Sequence, residues 1–397
     1  MQRIYLDNNA TTPVHPAVLE AMLPYFGADF GNPSSSHHFG QRARQAIEHA
    51  REGVASLIGA RSSEVVFTSG GTEADNAAIF GVLELSVRAQ RQTADASPHI
   101  ITSAIEHDAV LNAFRALESR SISVTYLPVG REGVVSPDAV RSALRPETVL
   151  ISIMYANNEI GTLQPIEEIG RIAAEADVLF HTDAVQAVGK VPVDVNRLGV
   201  DLLSLSAHKF NGPKGAGALF VRKGVEIDPL LRGGPNERGR RAGTENVAAI
   251  VGLGKASELV RAELAESSVH VSQLRDRLES GLLARIPGAR VNGDPGHRVP
   301  NTSNLMLAGV DSESLIIGLD LAGLACSAGA ACSSGAADPS HVLTAIGLTP
   351  AEARASVRLS LGRTNTREDI DTALELITSA VGRQRGVASS RGVAVAQ

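Results

Sequence analysis

Residues 202–215 read LLSLSAHKFNGPKG, an apolar run followed closely by a lysine and a glycine-rich turn. The run is typical of a strand that is buried on both faces. Residues 41–58, by contrast, place apolar side chains at helical spacing. Comparable strand-like runs lie at residues 64–68, 100–103, 149–155, 178–182 and 218–221. Buried strands that alternate with helices predict a largely parallel sheet in an α/β domain, with ligands bound beyond the carboxyl ends of the strands.

The length of the chain predicts two domains. Its 397 residues exceed what a single hydrophobic core usually organises. We therefore predict a large, mainly parallel-sheet domain at residues 16–258. A smaller α+β domain is predicted from residues 259–397 together with residues 1–15.

The C-terminal part of the chain predicts a long helix. Thr366 can cap it, and its buried face would carry Ile370, Ala373, Leu374, Ile377 and Val381. The stretch 386–397 is small and polar, so we expect it to fray. Upstream, Asp338-Pro339 predicts another helix start with proline at the first helical position.

The composition is that of an ordinary globular protein. A formal net charge of −6 gives no reason to expect nucleic acid or an anionic membrane as a partner. No apolar run reaches the roughly 18 residues of a membrane span, because Lys255 and Asp320 interrupt the longest candidates. The first residues, MQRIYLD, contain no apolar signal core, so we expect a cytoplasmic protein.

Lys209 follows the run 202–205 almost directly. A lysine at such a place is costly unless its charge is used or suppressed. A desolvated lysine becomes an amine nucleophile that forms Schiff bases, and Ser206 and His208 beside it can donate to a phosphate. A surface lysine in a glycine-rich turn is the alternative, and this motif alone does not exclude it.

Asp183 ends another apolar run, in the segment 181–186 (HTDAVQ). A carboxylate there can pair with a pyridinium nitrogen and keep it protonated, which makes the ring an electron sink. The alternative is an aspartate that caps a following helix.

The segment 68–76 (TSGGTEADN) predicts a strand, a glycine turn and a helix start. Glycines allow close approach to a phosphate, to which the amides of a helix N-terminus and the Thr72 hydroxyl can donate. The spacing matches neither a Walker A loop nor the dinucleotide fingerprint, which argues against a nucleotide-binding oxidoreductase. A tight strand-to-helix turn needs similar residues, so this motif is weak by itself.

The chain contains two cysteines, Cys326 and Cys332. Two cysteines form no disulfide framework, and histidines at metal-binding spacing are missing, so we expect no resident metal. Cys332 lies in the stretch 327–337, which holds only Ser, Ala, Gly and Cys. A nucleophile on such a loop could reach a substrate and then an acceptor, although most lone cysteines are core residues. Cys326 has the more apolar surroundings, and we expect it to be a packing residue.

Together these motifs resemble those of the cysteine desulfurases of the NifS/IscS type, which belong to the aspartate-aminotransferase-like class of pyridoxal-phosphate enzymes. The resemblance extends from Tyr5 to about Arg383. It is carried by residues 5–13 (YLDNNATTP), 31–35 (GNPSS), 71–72 (GT), 106–107 (EH), 157–161 (NNEIG), 183–186 (DAVQ), 206–209 (SAHK), 241–244 (RAGT), 331–335 (ACSSG) and 357–363 (VRLSLGR). The resemblance implies the pyridoxal-phosphate-dependent transferase fold.

The resemblance also implies a role for each matching residue around the cofactor. Lys209 would hold pyridoxal phosphate as a Schiff base and move the substrate's Cα proton. Asp183 would pair with the ring nitrogen, Gln186 with the ring hydroxyl, and His107 would stack on the ring and assist proton transfer. The phosphate would be held by Gly71, Thr72, Ser206 and His208, and by Thr244 from the other subunit of a homodimer.

For the substrate, L-cysteine, the resemblance implies binding by Asn158 and Arg358, whose guanidinium would fork onto the carboxylate. Asn158 would also contact the cofactor. Cys332 would attack the substrate sulfur, which leaves alanine and a persulfide for a sulfur-acceptor protein such as an iron–sulfur scaffold. The same thiol would transiently ligate an iron–sulfur cluster.

Two rival functions share the fold. A selenocysteine lyase, or a transaminating relative, would use Lys209 and Asp183 without needing Cys332. A catalytically silent scaffold for iron–sulfur assembly would keep the fold only to bind partners, and the joint presence of Lys209, Asp183, His107 and Cys332 argues against it.

Overall fold

The computed structural model describes residues 3–93, 97–328 and 339–394. Within these ranges the strands are β1 Ile4–Tyr5, β2 Val65–Thr68, β3 His99–Ser103, β4 Ser123–Leu127, β5 Thr148–Ser152, β6 Leu179–Asp183, β7 Leu202–Ser206, β8 Gly217–Val221, β9 Ala289–Val291, β10 Thr302–Leu307, β11 Leu324–Ala325 and β12 Ser356–Ser360. The helices are α1 Pro16–Met22, α2 His38–Leu57, α3 Gly71–Thr93, α4 Asp108–Glu118, α5 Pro137–Ala143, α6 Ile166–Glu175, α7 Val195–Leu198, α8 Val247–Arg285, α9 Ser312–Leu321, α10 His341–Ala345, α11 Pro350–Arg354 and α12 Arg367–Ala394.

A seven-stranded sheet of order β2-β8-β7-β6-β5-β3-β4 forms the centre of the molecule. Neighbouring strands from β4 to β7 are parallel, and β8 runs antiparallel to β7 and β2. The predicted, largely parallel α/β sheet is confirmed. Consecutive residues of β7 enter opposite cores: Leu202 packs on the α3 and α4 side, and Leu203 on the side of α2, α6 and the first half of α8. Burial on both faces explains the unbroken apolar runs.

Helices α2 and α8 pack closely on one face of this sheet. A Cβ built on Gly254 of α8 would lie 2.5 Å from the Cα of Ala50 in α2. A residue without a side chain is therefore required at this crossing, and any larger residue would push the two helices apart.

A second layer contains the antiparallel sheet β12-β10-β9 and the parallel pair β1-β11. Its core combines α9, α12 and the second half of α8. Helix α8 runs unbroken from Val247 to Arg285, across the predicted domain limit at residue 258, and contributes to both cores. The limits 1–15, 16–258 and 259–397 stay a prediction.

The predicted C-terminal helix is present as α12, and the N–H of Asp369 donates to the Thr366 hydroxyl at 3.1 Å. The expectation of fraying from Gly386 differs from the structure, in which the helix continues to Ala394. The helix predicted at Asp338-Pro339 begins instead at His341, with Ser340 as its N-cap. Among the described residues, no helix combines the length and the apolar character that crossing a membrane requires.

Candidate active site

A cavity of about 260 Å³ lies beyond the carboxyl ends of the parallel strands. Asp183 is the last residue of β6, Ser206 is the last of β7, and Met154 follows β5. This is the position at which α/β sheets bind their ligands. Ten of the predicted site residues line the cavity: Gly71, Thr72, His107, Asn158, Asp183, Gln186, Ser206, His208, Lys209 and Arg358.

Lys209 ends the 3-10 turn that follows β7. Its Nζ donates to the main-chain oxygens of Asn9 at 2.6 Å and Ala10 at 2.9 Å. The N-terminal segment is fixed against this turn, because the N–H of Thr12 donates to the carbonyl oxygen of His208 at 2.9 Å. The amine therefore lies at the cavity wall, where the first residues of the chain meet the central sheet.

The carboxyl group of Asp183 is buried at the floor of the cavity. Burial raises its pKa, while the charges of His107 and Lys209 and a hydrogen bond from the N–H of Val185 act in the opposite direction. That N–H lies 2.9 Å from Oδ1. The chain continues after Asp183 as turns, not as a helix, so Asp183 does not cap a helix here.

His107 is the N-cap of α4, and its Nδ1 accepts the N–H of Ala109 at 3.1 Å. Helix α4 thus fixes the orientation of an imidazole that lines the cavity.

The cavity also borders the N-terminus of α3, a helix that begins at Gly71. A Cβ on Gly71 would lie 2.6 Å from Cγ2 of Val185, so only glycine fits without a shift. The first amides of a helix have no partner within it, and the Thr72 and Ser206 hydroxyls stand at the same cavity. This set of neutral donors suits a phosphate group.

His208 completes that end of the cavity. Burial lowers the pKa of its imidazole to about 4, and the nearby charges of Lys209 and Lys214 contribute to the shift. Its Nδ1 lies 3.2 Å from the Thr11 hydroxyl. At neutral pH the ring is uncharged and can act as a hydrogen-bond donor.

Arg358 lies on β12 and is buried, with 1% of its surface exposed. Its Nη2 donates to Oδ1 of Asp7 at 2.8 Å and its Nη1 to the main-chain oxygen of Asn158 at 3.0 Å. The Nε atom has no hydrogen-bond partner among the described residues, although it is buried. A guanidinium that lines a cavity and has more N–H donors than partners is suited to bind a carboxylate.

The amide of Gln186 is held on both sides. Its Nε2 donates to the main-chain oxygen of Asn9 at 3.0 Å, and its Oε1 accepts a short hydrogen bond from Nζ of Lys190. Lys190 is buried, and the sequence motifs do not predict a role for it.

One predicted site residue that the structure describes, Thr244, does not line this cavity. Thr244 is exposed and lines a separate cavity with Arg241 and Gly243. Cys332 lies outside the described residues. Cys326, which we expected to be a packing residue, is buried in the second core, and burial raises the pKa of its thiol to about 12.

Several cavity residues were not predicted. Asn9 belongs to the segment 5–13, which carried the resemblance without an individual role, and Asp75 belongs to the segment 68–76. Glu159 lies in the segment 157–161, again without an assigned role. His341, whose Nε2 lies 3.0 Å from the main-chain oxygen of Glu106, follows no motif that could have identified it. In the described ranges no three His, Cys, Asp or Glu side chains cluster as a metal site would need.

Residues 4–373 match the family described as aminotransferase class-V. The chain belongs to this family. A relative named cysteine desulfurase IscS, from Methanosarcina thermophila, is 54% identical over 384 residues, which cover 97% of this chain and 93% of the relative. The resemblance predicted from the motifs is thereby confirmed.

Two solved structures are similar to this aminotransferase class-V protein. One, described as a NifS-like protein, has a TM-score of 0.88 and 39% identity, and the match covers 96% of this chain and 100% of that one. The other, described as SspA in complex with cysteine, has a TM-score of 0.79 and 39% identity over 91% of this chain and 100% of that one. The predicted transferase fold is confirmed.

This class-V enzyme depends on pyridoxal phosphate. The residues of the cavity fit the cofactor: an amine at Lys209, a buried carboxyl at Asp183, and neutral donors beside Gly71, where a Cβ would fill the space next to Val185. The amine can bond to the aldehyde carbon of the cofactor, the carboxyl can pair with its ring nitrogen, and the neutral donors can bind its phosphate.

Proposed function

We propose that this protein is a cysteine desulfurase, which removes sulfur from L-cysteine, releases L-alanine and leaves a persulfide on Cys332. The observation that carries the proposal is one cavity that combines the Lys209 amine, the Asp183 carboxyl and the Arg358 guanidinium. The chain that forms it is 54% identical to a protein named cysteine desulfurase.

Lys209 binds the cofactor and moves the proton at the substrate's Cα. Pyridoxal phosphate, when bound, supplies an electron sink for the electrons left on Cα. Asp183 pairs with the ring nitrogen, a cationic partner that would oppose the upward shift that burial gives to the pKa of this carboxyl. Gln186 would donate to the ring hydroxyl oxygen, and His107 would stack on the ring and assist proton transfer.

The neutral donors of Gly71, Thr72, Ser206 and His208 hold the phosphate. An uncharged His208, with its pKa near 4, contributes a hydrogen bond without adding a second cation beside Lys209. Arg358 binds the substrate carboxylate, because its bonds to Asn158 and Asp7 use only two of the five N–H donors of the guanidinium. Asn158, beside it, contacts substrate and cofactor.

Cys332 accepts the sulfur. Its thiolate forms a bond to the substrate sulfur while the Cβ–S bond breaks, and the electron pair of that bond stays with the carbon skeleton. Protonation of the carbon then gives alanine, and the sulfur remains as a persulfide for an acceptor such as an iron–sulfur scaffold. During transfer Cys332 transiently ligates the iron–sulfur cluster being built.

A homodimer is part of this proposal. Phe26 and Phe30 are each 69% exposed, Phe39 is 46% exposed, and the rings of Phe30 and Phe39 stack with centroids 5.4 Å apart. Phe39 lies on α2. Other residues of α2 line one cavity together with Glu245, which follows Thr244 in the chain. Burying this aromatic face against a second copy would remove it from water and would bring Thr244 to the partner's phosphate site.

The proposed setting is the cytoplasm, where a persulfide is handed on in a reducing environment. Neither nucleic acid nor a membrane is proposed as a partner, in keeping with the net charge of −6.

The deciding experiment is to incubate the purified holoenzyme with L-cysteine and a thiol acceptor, and to quantify alanine and sulfide. Equal amounts of both, together with a sulfur adduct on the intact protein, are expected. Activity on L-selenocysteine with no alanine from L-cysteine would instead identify a selenocysteine lyase, and no product from either substrate would indicate a silent scaffold.

A further inference from the structure

Lys190 lies directly behind the cofactor cavity, four positions after Gln186. Its side chain is buried, and its Nζ donates to Oδ1 of Asn9 at 2.8 Å and to Oε1 of Gln186. Neither partner carries a charge. Burial lowers the pKa of this amine well below its usual range, and the cations Lys209 and Arg358 add to the shift.

The surroundings of Lys190 make it costly as a purely structural residue. On its other side it lines a small cavity of about 70 Å³ with Lys209, Glu263 and Arg363, but Glu263 and Arg363 are paired with each other. A buried amine without a carboxylate partner is destabilising. A methionine of similar length could fill the same space at lower cost, so the amine itself calls for a function.

The two hydrogen bonds of Lys190 settle the orientation of a neighbouring amide. The main-chain oxygen of Asn9, on one side of Gln186, can only accept, and the Lys190 amine on the other side can donate to the amide oxygen in its charged and in its neutral form. The nitrogen of Gln186 must then lie on the opposite side, where it donates to the main-chain oxygen of Asn9 at 3.0 Å. The second N–H of that amide is left for a group in the cavity, which Gln186 lines.

Asn9 connects this lysine with the catalytic one. Its side-chain oxygen accepts from Lys190 at 2.8 Å and from Asn301 at 3.0 Å, and its main-chain oxygen accepts from Lys209 at 2.6 Å. Both amines therefore hold the same residue, and a change at Lys190 reaches Gln186 and Asn9 together.

We propose that Lys190 is a positioning residue, whose amine fixes the Gln186 amide so that an N–H, and not the oxygen, faces the ring hydroxyl oxygen of the cofactor. This inference rests on the proposed role of Gln186. An N–H that donates to the ring hydroxyl oxygen makes this oxygen a weaker acceptor. The oxygen then holds the proton less strongly on the nitrogen that joins Lys209 to the cofactor. Losing the N–H should therefore raise the pH at which that proton leaves.

The test follows the visible absorption of the bound cofactor against pH in the holoenzyme, for Lys190→Met, Gln186→Ala and the double variant. Each single change should raise the midpoint by about half to one pH unit, the range expected for one hydrogen bond. The double variant should show no further rise, because both changes remove the same interaction. Lys255→Met, which removes a partly exposed lysine paired with Glu258, should leave the midpoint unchanged.

Two outcomes would overturn the inference: an unchanged midpoint in the Lys190 variant while Gln186→Ala raises it, or shifts that add in the double variant. An unchanged midpoint in Gln186→Ala would refute the proposed role of Gln186 and, with it, this inference. The desulfurase function is tested separately, by the release of alanine from the parent enzyme.

Lys190→Gln replaces Lys190→Met if that variant does not bind the cofactor, or if denaturant unfolding of the cofactor-free protein shows that it does not fold. Its amide retains a donor, so it should show a smaller rise than Gln186→Ala, and an equal rise would count against the proposal.

Discussion

Arg358 and Asp7 form an ion pair, with Nη2 of the buried arginine 2.8 Å from Oδ1 of the half-buried aspartate. The first residues of the chain are thereby joined to β12, and the N–H of Ser360 donates to the main-chain oxygen of Leu6 at 2.8 Å beside them. The N-terminal segment is thus a wall of the active site as well as a strand of the second layer. The ion pair with Asp7 fixes the orientation of the Arg358 side chain in the absence of substrate.

Arg358→Lys should raise KM for L-cysteine at least about tenfold, because a lysine keeps the charge but loses the planar, forked donor set. The absorption of the bound cofactor should stay close to that of the parent, since Lys209 and Asp183 are unchanged. Steady-state kinetics and spectra would be measured on the same preparation. Arg363→Lys is the control, because Arg363 lies outside this cavity; an unchanged KM for Arg358→Lys would show that the substrate carboxylate binds elsewhere.

Lys209→Ala should abolish the visible band of the lysine-bound cofactor and lower turnover at least about 10³-fold, because the amine both binds the cofactor and moves the Cα proton. Borohydride reduction followed by peptide mass spectrometry locates the lysine that holds the cofactor. Lys214→Ala is the matched control, since Lys214 is exposed on the same loop. A reducible cofactor band that survives in Lys209→Ala would refute the assignment.

Glu106 should contribute a fall in the stability of the protein between pH 6.5 and 8. Burial raises the pKa of this carboxyl from 4.5 to about 8, so the folded protein keeps a proton that the unfolded chain releases. Its contribution is complete below pH 4.5 and is lost as the pH rises through 8, with a slope of at most about 1.4 kcal/mol per pH unit.

Glu106→Gln should remove that part of the pH dependence, because an amide does not titrate. Urea unfolding at pH 6.5, 7.2 and 8.0 on both proteins gives the difference. The measurements start at pH 6.5 because of buried His181. Its pKa is lowered to about 3, so its titration makes stability rise with pH below 6.5. Parallel curves for the two proteins across this window would contradict a raised Glu106 pKa.

The sequence predicts the site residues at the ends of strands, but it does not predict the residues that hold those side chains in place. Asp183 and Lys209 follow buried apolar runs, and the order of parallel strands brings their ends together. Lys190 and Asn9 act through tertiary hydrogen bonds between segments far apart in the chain, and no local pattern encodes such a contact. The same limit applies to the fold: β4 is a partly buried edge strand without an apolar run, and it was not predicted.

Thr244 should act on the partner's active site, which mixed dimers can test. A dimer of one Lys209→Ala subunit and one Thr244→Ala subunit would then contain one site with both changes and one site with neither. Half the activity of the parent dimer is expected, with normal cofactor affinity at the working site. If Thr244 served its own chain, the Lys209-containing site would show the weakened phosphate binding of the Thr244→Ala homodimer; an active monomer in sedimentation would also refute the dimer.

Cys332→Ala should leave cofactor binding and the spectral response to L-cysteine intact, while sulfide release and the persulfide adduct disappear. The thiol that remains, Cys326, cannot replace it, because burial raises its pKa to about 12 and only a thiolate attacks sulfur. Turnover of L-selenocysteine should survive in part, since selenium leaves more readily without a thiol acceptor.

Cys326→Ala is the matched variant, and it should keep full activity with a stability loss of about 1 kcal/mol from the lost packing. Intact-protein mass spectrometry after brief exposure to L-cysteine compares both variants with the parent. A sulfur adduct should appear in the parent and in Cys326→Ala, and be missing in Cys332→Ala. The reverse pattern, with the adduct lost only in Cys326→Ala, would show that the buried thiol becomes exposed during turnover and is the true acceptor.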